Sequence, residues 1–308
     1  MTRQAPIDIR VLTDPMMGLS YESEPFLRWV ETHYPGQVRL SSVMGLLVRD
    51  VADFFDDEEK KLEPKAAITR YNTRLAEIYR SEESISGLPI NMDGFSLFSP
   101  HHRSSLPLNE AVKAVELVSP ERAEEFLYRL RLATVALARP TTQDKEILAV
   151  VRATDVSTVA FTEAIASGAA LAALARDLAF VNQLEVHQLP AYLITVNGRS
   201  QLARGVLGPQ DFVRVICALS RGQLRPQDPD PKALLPLITR RRLISLTEIR
   251  YAFDLPDLQA AREMVASVAS DGLVQSVQVP RGELVELVHS SMGGQAPRTA
   301  GVVAGPSA

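Results

Sequence analysis

The stretch TDPMMGLSYESEP, residues 13–25, decides the fold. Ahead of it Ile7, Ile9 and Val11 alternate with polar residues and run into Asp14-Pro15, the pattern of a strand stopped by proline. Behind it Phe26, Leu27, Val30 and Tyr34 share one face of a predicted helix that Pro35-Gly36 closes. QVRLSSVMGLLV, residues 37–48, reads as a second strand, and a right-handed crossover makes the two strands parallel. Reactive groups are often placed at such a strand-to-helix junction. Here it holds Met16, Met17, Gly18, Leu19 and Ser20, with no cysteine, histidine or lysine.

Beyond residue 60 the pattern turns helical. Asn109, Ser119-Pro120, Thr141 or Thr142, and Ser157 are the expected helix caps. AALAALARDLAFVNQL, residues 169–184, is apolar almost all round and is expected to be fully buried. Strands return in PAYLITVNGRSQLARGV, where Asn197-Gly198 signals a type I′ hairpin, and a helix opened by Gly208-Pro209 follows. The order is β-α-β, a helical insertion, then β-β-α. This predicts an α/β chain: a thioredoxin fold over 1–60 and 185–222, interrupted by a helical domain over 61–184. Proline and aspartate mark 223–232 as a linker. Three helical patterns and two alternating strands then suggest a small winged-helix-like α+β domain over 233–289, with a disordered tail over 290–308.

Composition excludes several classes of function. Lys+Arg (33) do not outnumber Asp+Glu (37), so nothing forecasts a polyanion partner. The N-terminus offers no apolar signal-peptide core, and no stretch has the length of a membrane span, so a cytoplasmic protein is expected. The one cysteine, Cys217, rules out an intramolecular disulfide and a cysteine-cluster metal site, and its setting predicts a buried thiol.

Two motifs carry a resemblance that spans residues 7–220. The junction resembles the Asp-Pro-x-Cys-x-x-Cys-aromatic-x-x-x-Pro site of the DsbA-like branch of the thioredoxin superfamily. Asp14, Pro15, Tyr21 and Pro25 keep their places, while Met17 and Ser20 stand where the cysteines belong. VHQLPAYLI, residues 186–194, resembles that family's cis-proline loop, with Pro190 in the proline position. The branch also includes FrnE-type oxidoreductases, kappa glutathione transferases and 2-hydroxychromene-2-carboxylate isomerases. The transferases and isomerases use a serine at the first cysteine position, which is Met17 here. A thioether has no ionisable proton and forms no disulfide, and no histidine close in sequence serves Ser20 as a base.

The resemblance therefore implies binding without redox chemistry. Leu189 would offer its backbone to an extended peptide, and Met16, Met17, Leu19 and Tyr21 would line a groove beside Pro190. No catalytic residue, cofactor or metal is expected. The partner is expected to be another protein or an extended peptide, as in an adaptor, with a homodimer through the C-terminal domain as a further expectation. A glutathione-dependent transferase or isomerase and a ligand-responsive transcriptional regulator are the alternatives. Charge speaks against the regulator: Arg225 to Glu286 holds eight Lys/Arg and nine Asp/Glu. Its one basic cluster, Arg240-Arg241-Arg242, suits phosphate and acidic protein equally. His101-His102 reads as a solvated loop, His187 as an ordinary histidine near the groove, and Asp56 to Lys61 as a solvated charged surface.

Overall fold

A computed structural model of the chain describes residues 6–269 and 272–288. β1 (Ile7–Thr13) is followed by α1 (Gly18–Glu22) and α2 (Glu24–His33). The two helices are separate because Pro25 has no N–H to continue the hydrogen-bond ladder of α1. β2 (Val38–Met44) runs parallel to β1 in the register Ile7↔Val38 to Thr13↔Met44. β3 (Ala191–Val196) is antiparallel to β1, and β4 (Arg199–Arg204) is antiparallel to β3, giving the order β2-β1-β3-β4. The hairpin between them has positive φ at Asn197 (49°) and Gly198 (80°), as a type I′ turn requires. α2 and α9 (Pro209–Ser220) cover one face, where Ile9, Phe26, Tyr192 and Phe212 form the core.

Between β2 and β3 lie α3 (Pro64–Glu82), α4 (Leu106–Val118), α5 (Ala123–Val135), α6 (Asp144–Ala153), α7 (Thr158–Ala166) and α8 (Ala169–Gln183). Several expectations are corrected here. α8 buries only a stripe that includes Ala170, Ala173 and Leu174, and Leu171 is 48% exposed. Alanine serves a helix equally well inside or outside, so the run of alanines hid the periodicity. Asn109 lies inside α4, which starts at Leu106, and neither Thr141 nor Thr142 caps α6. The Ser157 hydroxyl does accept from the Ala160 N–H. Glu59, read as solvated, is fully buried and paired with Arg74 at 2.7 Å. Cys217 is only partly buried. Among the described residues no single helix is long and apolar enough to cross a membrane.

The C-terminal unit runs α10 (Leu234–Arg241), β5 (Leu243–Ser245), α11 (Leu246–Ala252), α12 (Leu258–Val268), β6 (Val274–Val279) and β7 (Gly282–Leu287), with an antiparallel sheet in the order β5-β7-β6. β5 escaped the sequence reading because three residues are too few to show a period. The tail expected over 290–308 lies outside the described residues.

This unit is seated on α2. The Trp29 indole donates to Asp254 at 3.0 Å, the Thr32 hydroxyl to the Ala252 carbonyl at 2.6 Å, and His33 contacts Asp254 at 2.8 Å. Phe26 and Tyr251 meet edge to face at 5.2 Å. Below them Arg28 is buried among three carboxylates: Glu24 and Glu31 at 2.9 Å and Glu248 of α11 at 3.8 Å. The Tyr128 hydroxyl of α5 donates to Glu248 at 2.6 Å. The arginine cluster also faces inward. Arg240 and Arg241 pair with Glu31, Arg241 with Glu124, and Arg242 with Glu125. Acids of the same chain thus engage the cluster that the sequence left open to phosphate or another protein.

Candidate functional site

Asp14, the residue after β1, is fully buried and organises the junction. One carboxylate oxygen accepts the Met16 N–H at 3.0 Å. The other accepts the Leu47 N–H (2.8 Å), the Ser105 hydroxyl (2.7 Å) and the Asn109 amide (2.8 Å). Burial pushes its pKa up against these four donors. Asp14 thereby ties the junction to the residues after β2 and to the start of α4, a role the motif did not reveal.

The predicted groove residues divide into two groups. Met16 (1% exposed) and Tyr21 (0%) belong to the core of the helical part and line no groove. The Tyr79 hydroxyl donates to the Met16 carbonyl at 2.5 Å, and the Tyr21 hydroxyl to the Pro89 carbonyl at 3.2 Å. A side chain at Gly18 would overlap the Glu82 carboxylate, so the end of α3 closes over the turn. Met17 and Leu189 do come together, in an apolar seam with Val181 and Val186, and each is 8% exposed. Leu19 packs at its margin, partly exposed. The Leu189-Pro190 bond is cis. The Leu189 N–H and C=O have no hydrogen-bond partner among the described residues, while the Pro190 carbonyl accepts from Gly205 at 2.8 Å.

Ser20 is 2% exposed, and its oxygen accepts the Thr13 hydroxyl at 2.8 Å. Arg131 donates to Thr13 at 2.6 Å and pairs with Glu24. Ser20 thus accepts from Thr13, which Arg131 engages in turn, and among the described residues no imidazole or carboxylate is hydrogen-bonded to the Ser20 hydroxyl. His187 is exposed, as is His101; His102 bonds Ser99 in its loop at 2.9 Å. Among the described residues no group of three or more His, Cys, Asp or Glu could hold a metal ion.

The structure adds a carboxyl pair that sequence separation concealed. Glu22 is fully buried, and burial pushes its pKa to about 7 although the Ser86 N–H and hydroxyl donate to it at 2.9 and 2.6 Å. Glu82 is pushed to about 7 by burial and by Glu22. A folded-state pKa above the ordinary 4.5 adds stability that is fully present below pH 4.5 and is lost as pH rises through about 7. Glu22→Gln should therefore flatten the fall of the unfolding midpoint between those values. An unchanged pH profile in that variant would assign the effect elsewhere.

A thioredoxin family model matches residues 11–208, and the chain belongs to that family. Among solved structures it resembles a protein described as a disulfide isomerase from Nitrosomonas europaea (14% identity, TM-score 0.57, 71% of this chain and 99% of that one). It also resembles the cytosolic disulfide reductase DsbM of Pseudomonas aeruginosa (18%, 0.51, 70% and 98%) and a DsbA oxidoreductase of Streptomyces coelicolor (13%, 0.51, 72% and 92%). Identities this low establish the fold alone. No curated protein matches the chain in sequence.

Proposed function

We propose that this chain is a protein-binding member of the thioredoxin family that works without thiol–disulfide exchange. One observation carries the reading: Asp14, Pro15, Tyr21, Pro25 and cis Pro190 hold the junction in shape while Met17 and Ser20 occupy the two exchange positions. Exchange needs a thiolate and a resolving sulfur, and neither position supplies one. The unpartnered backbone of Leu189 beside Leu19 supports capture of an extended segment by strand addition. The C-terminal unit, ordered α-β-α-α-β-β, is read as a winged-helix-like module used for assembly. Its basic cluster engages acids of the same chain, and Arg262 on α12 pairs with Glu283 at 2.8 Å, which favours a protein partner over nucleic acid.

Insulin reduction and refolding of scrambled substrates should match buffer. Activity that survives Cys217→Ser would overturn the reading, and activity abolished by it would make Cys217 a reactive thiol. For binding, Leu19→Glu is a better probe than Met17→Glu, because Met17 is buried and a charge there would damage the fold as well. In a library of extended peptides, the variant should bind its selected sequences at least ~10-fold more weakly, a loss of about 1.4 kcal/mol. Unchanged binding in a well-folded Leu19→Glu protein would make the junction a relic.

A further inference from the structure

β2 is an edge strand, and its free edge lies in a cleft. The Gln37 carbonyl accepts from the Ile7 N–H at 3.0 Å, and the Gly45 N–H donates to the Thr13 carbonyl at 2.7 Å. The odd-numbered residues of β2 therefore turn their backbone groups toward β1, and the even-numbered ones turn theirs away. The Met44 N–H confirms the alternation by donating outward to Asp177 at 2.9 Å. The N–H and C=O groups of Val38, Leu40 and Ser42 have no partner among the described residues. Two openings of ≈ 220 and ≈ 230 Å³ run along these residues and share Leu40 and Glu124. One wall is apolar, from Val112 of α4 and Leu127 of α5. The cleft ends differ in charge: Arg240 stands at the Val38 end and Glu116 at the Ser42 end, with side chains 52% and 41% exposed.

We propose that this cleft binds an extended peptide of a separate protein as a fifth strand, antiparallel to β2. This site is distinct from the Leu189 junction and does not depend on it. From Val38 to Ser42 the strand spans about 13 Å, and its three outward residues provide the donors and acceptors of one short ladder. Antiparallel pairing is the more stable mode and sets the peptide's direction. A basic residue at the peptide's N-terminal end meets Glu116, β-branched residues lie against Val112 and Leu127, and an acidic residue at the C-terminal end meets Arg240. Arg240 has donors to spare, since its contact with Glu31 is a single one at 3.4 Å. A second copy of the chain does not fit. Its own β2 edge is recessed between the same walls, and two recessed edges cannot meet.

The probe is a labelled, end-capped pentapeptide, Lys-Val-Thr-Val-Glu, followed by fluorescence anisotropy with the full chain. It should bind saturably. N-methylation of its β2-facing amides should weaken binding at least ~10-fold, and the reversed sequence Glu-Val-Thr-Val-Lys should bind at least ~5-fold more weakly. Arg240→Glu, checked for an unchanged melting curve, should weaken the original peptide to a similar extent and prefer Lys-Val-Thr-Val-Lys instead. Leu19→Glu should have no effect, which separates this site from the junction. Indifference to N-methylation would rule out strand addition, and equal binding of both sequences would overturn the assigned direction. A chain ending at Val288 should bind with unchanged affinity. A rise of ~10-fold would mean that the chain's own C-terminal residues hold the cleft, and the separate partner would be withdrawn.

Discussion

Arg28→Ala is expected to lower the unfolding midpoint by roughly 6–10 °C in a thermal melt near neutral pH. The guanidinium is the shared counter-charge of Glu24, Glu31 and Glu248, and its side chain is 3% exposed. Removing one partner from a buried ionic group costs about 3–5 kcal/mol, because the remaining charges stay desolvated with less compensation; Glu24 keeps Arg131, and Glu31 keeps Arg240 and Arg241. For a chain of this size each kcal/mol corresponds to roughly 2–4 °C, with larger chains toward the low end. The carboxylates can recover part of the loss by taking up protons, so the deficit should shrink as pH is lowered. A midpoint within 2–3 °C (about 1 kcal/mol) of the parent would show that water enters the cluster and solvates the acids.

The second large effect is expected at Asp14. Asp14→Ala leaves the Met16 and Leu47 N–H groups, the Ser105 hydroxyl and the Asn109 amide facing a space without an acceptor. Each unmet buried donor costs about 1–3 kcal/mol, so a total near 4 kcal/mol is expected after some relaxation. The damage should be local as well as global. Amide exchange at Met16 and Leu47 should accelerate far more than in the β3–β4 hairpin. Asp14→Asn should recover part of the stability, since its one carbonyl oxygen still accepts. Equal protection at Met16 in the parent and Asp14→Ala proteins would show that Asp14 does not hold the junction.

Much of the sheet was legible in the chain. Ile7, Ile9 and Val11 alternate because one face of β1 is buried, and Asn197-Gly198 adopts the positive φ angles that its composition favours. The junction motif located Asp14 and the cis peptide at Pro190 correctly. It did not show that Met16 and Tyr21 point into the core, because α3 and the end of α8 close over the turn from distant positions in the chain. Pairs such as Trp29–Asp254, 225 residues apart, leave no local trace. The buried Glu59 is a further case: its partner, Arg74, sits 15 residues away on another element, and the run around it reads as ordinary surface charge.

The seating of the C-terminal unit on α2 changes what the proline-rich stretch before it can be. Gln227, in the middle of that stretch, donates to the His33 carbonyl at 2.9 Å, so the connection itself is held against the helix it leads away from. Deleting everything after it would uncover Trp29 and Phe26 and strand Arg28 without Glu248. Such a truncation would not isolate a module; it would open a core. The two parts are therefore expected to share one cooperative unfolding event, with the seam between them present in the sequence but not in the energetics. A bound partner that stabilised either part would therefore raise the melting temperature of both.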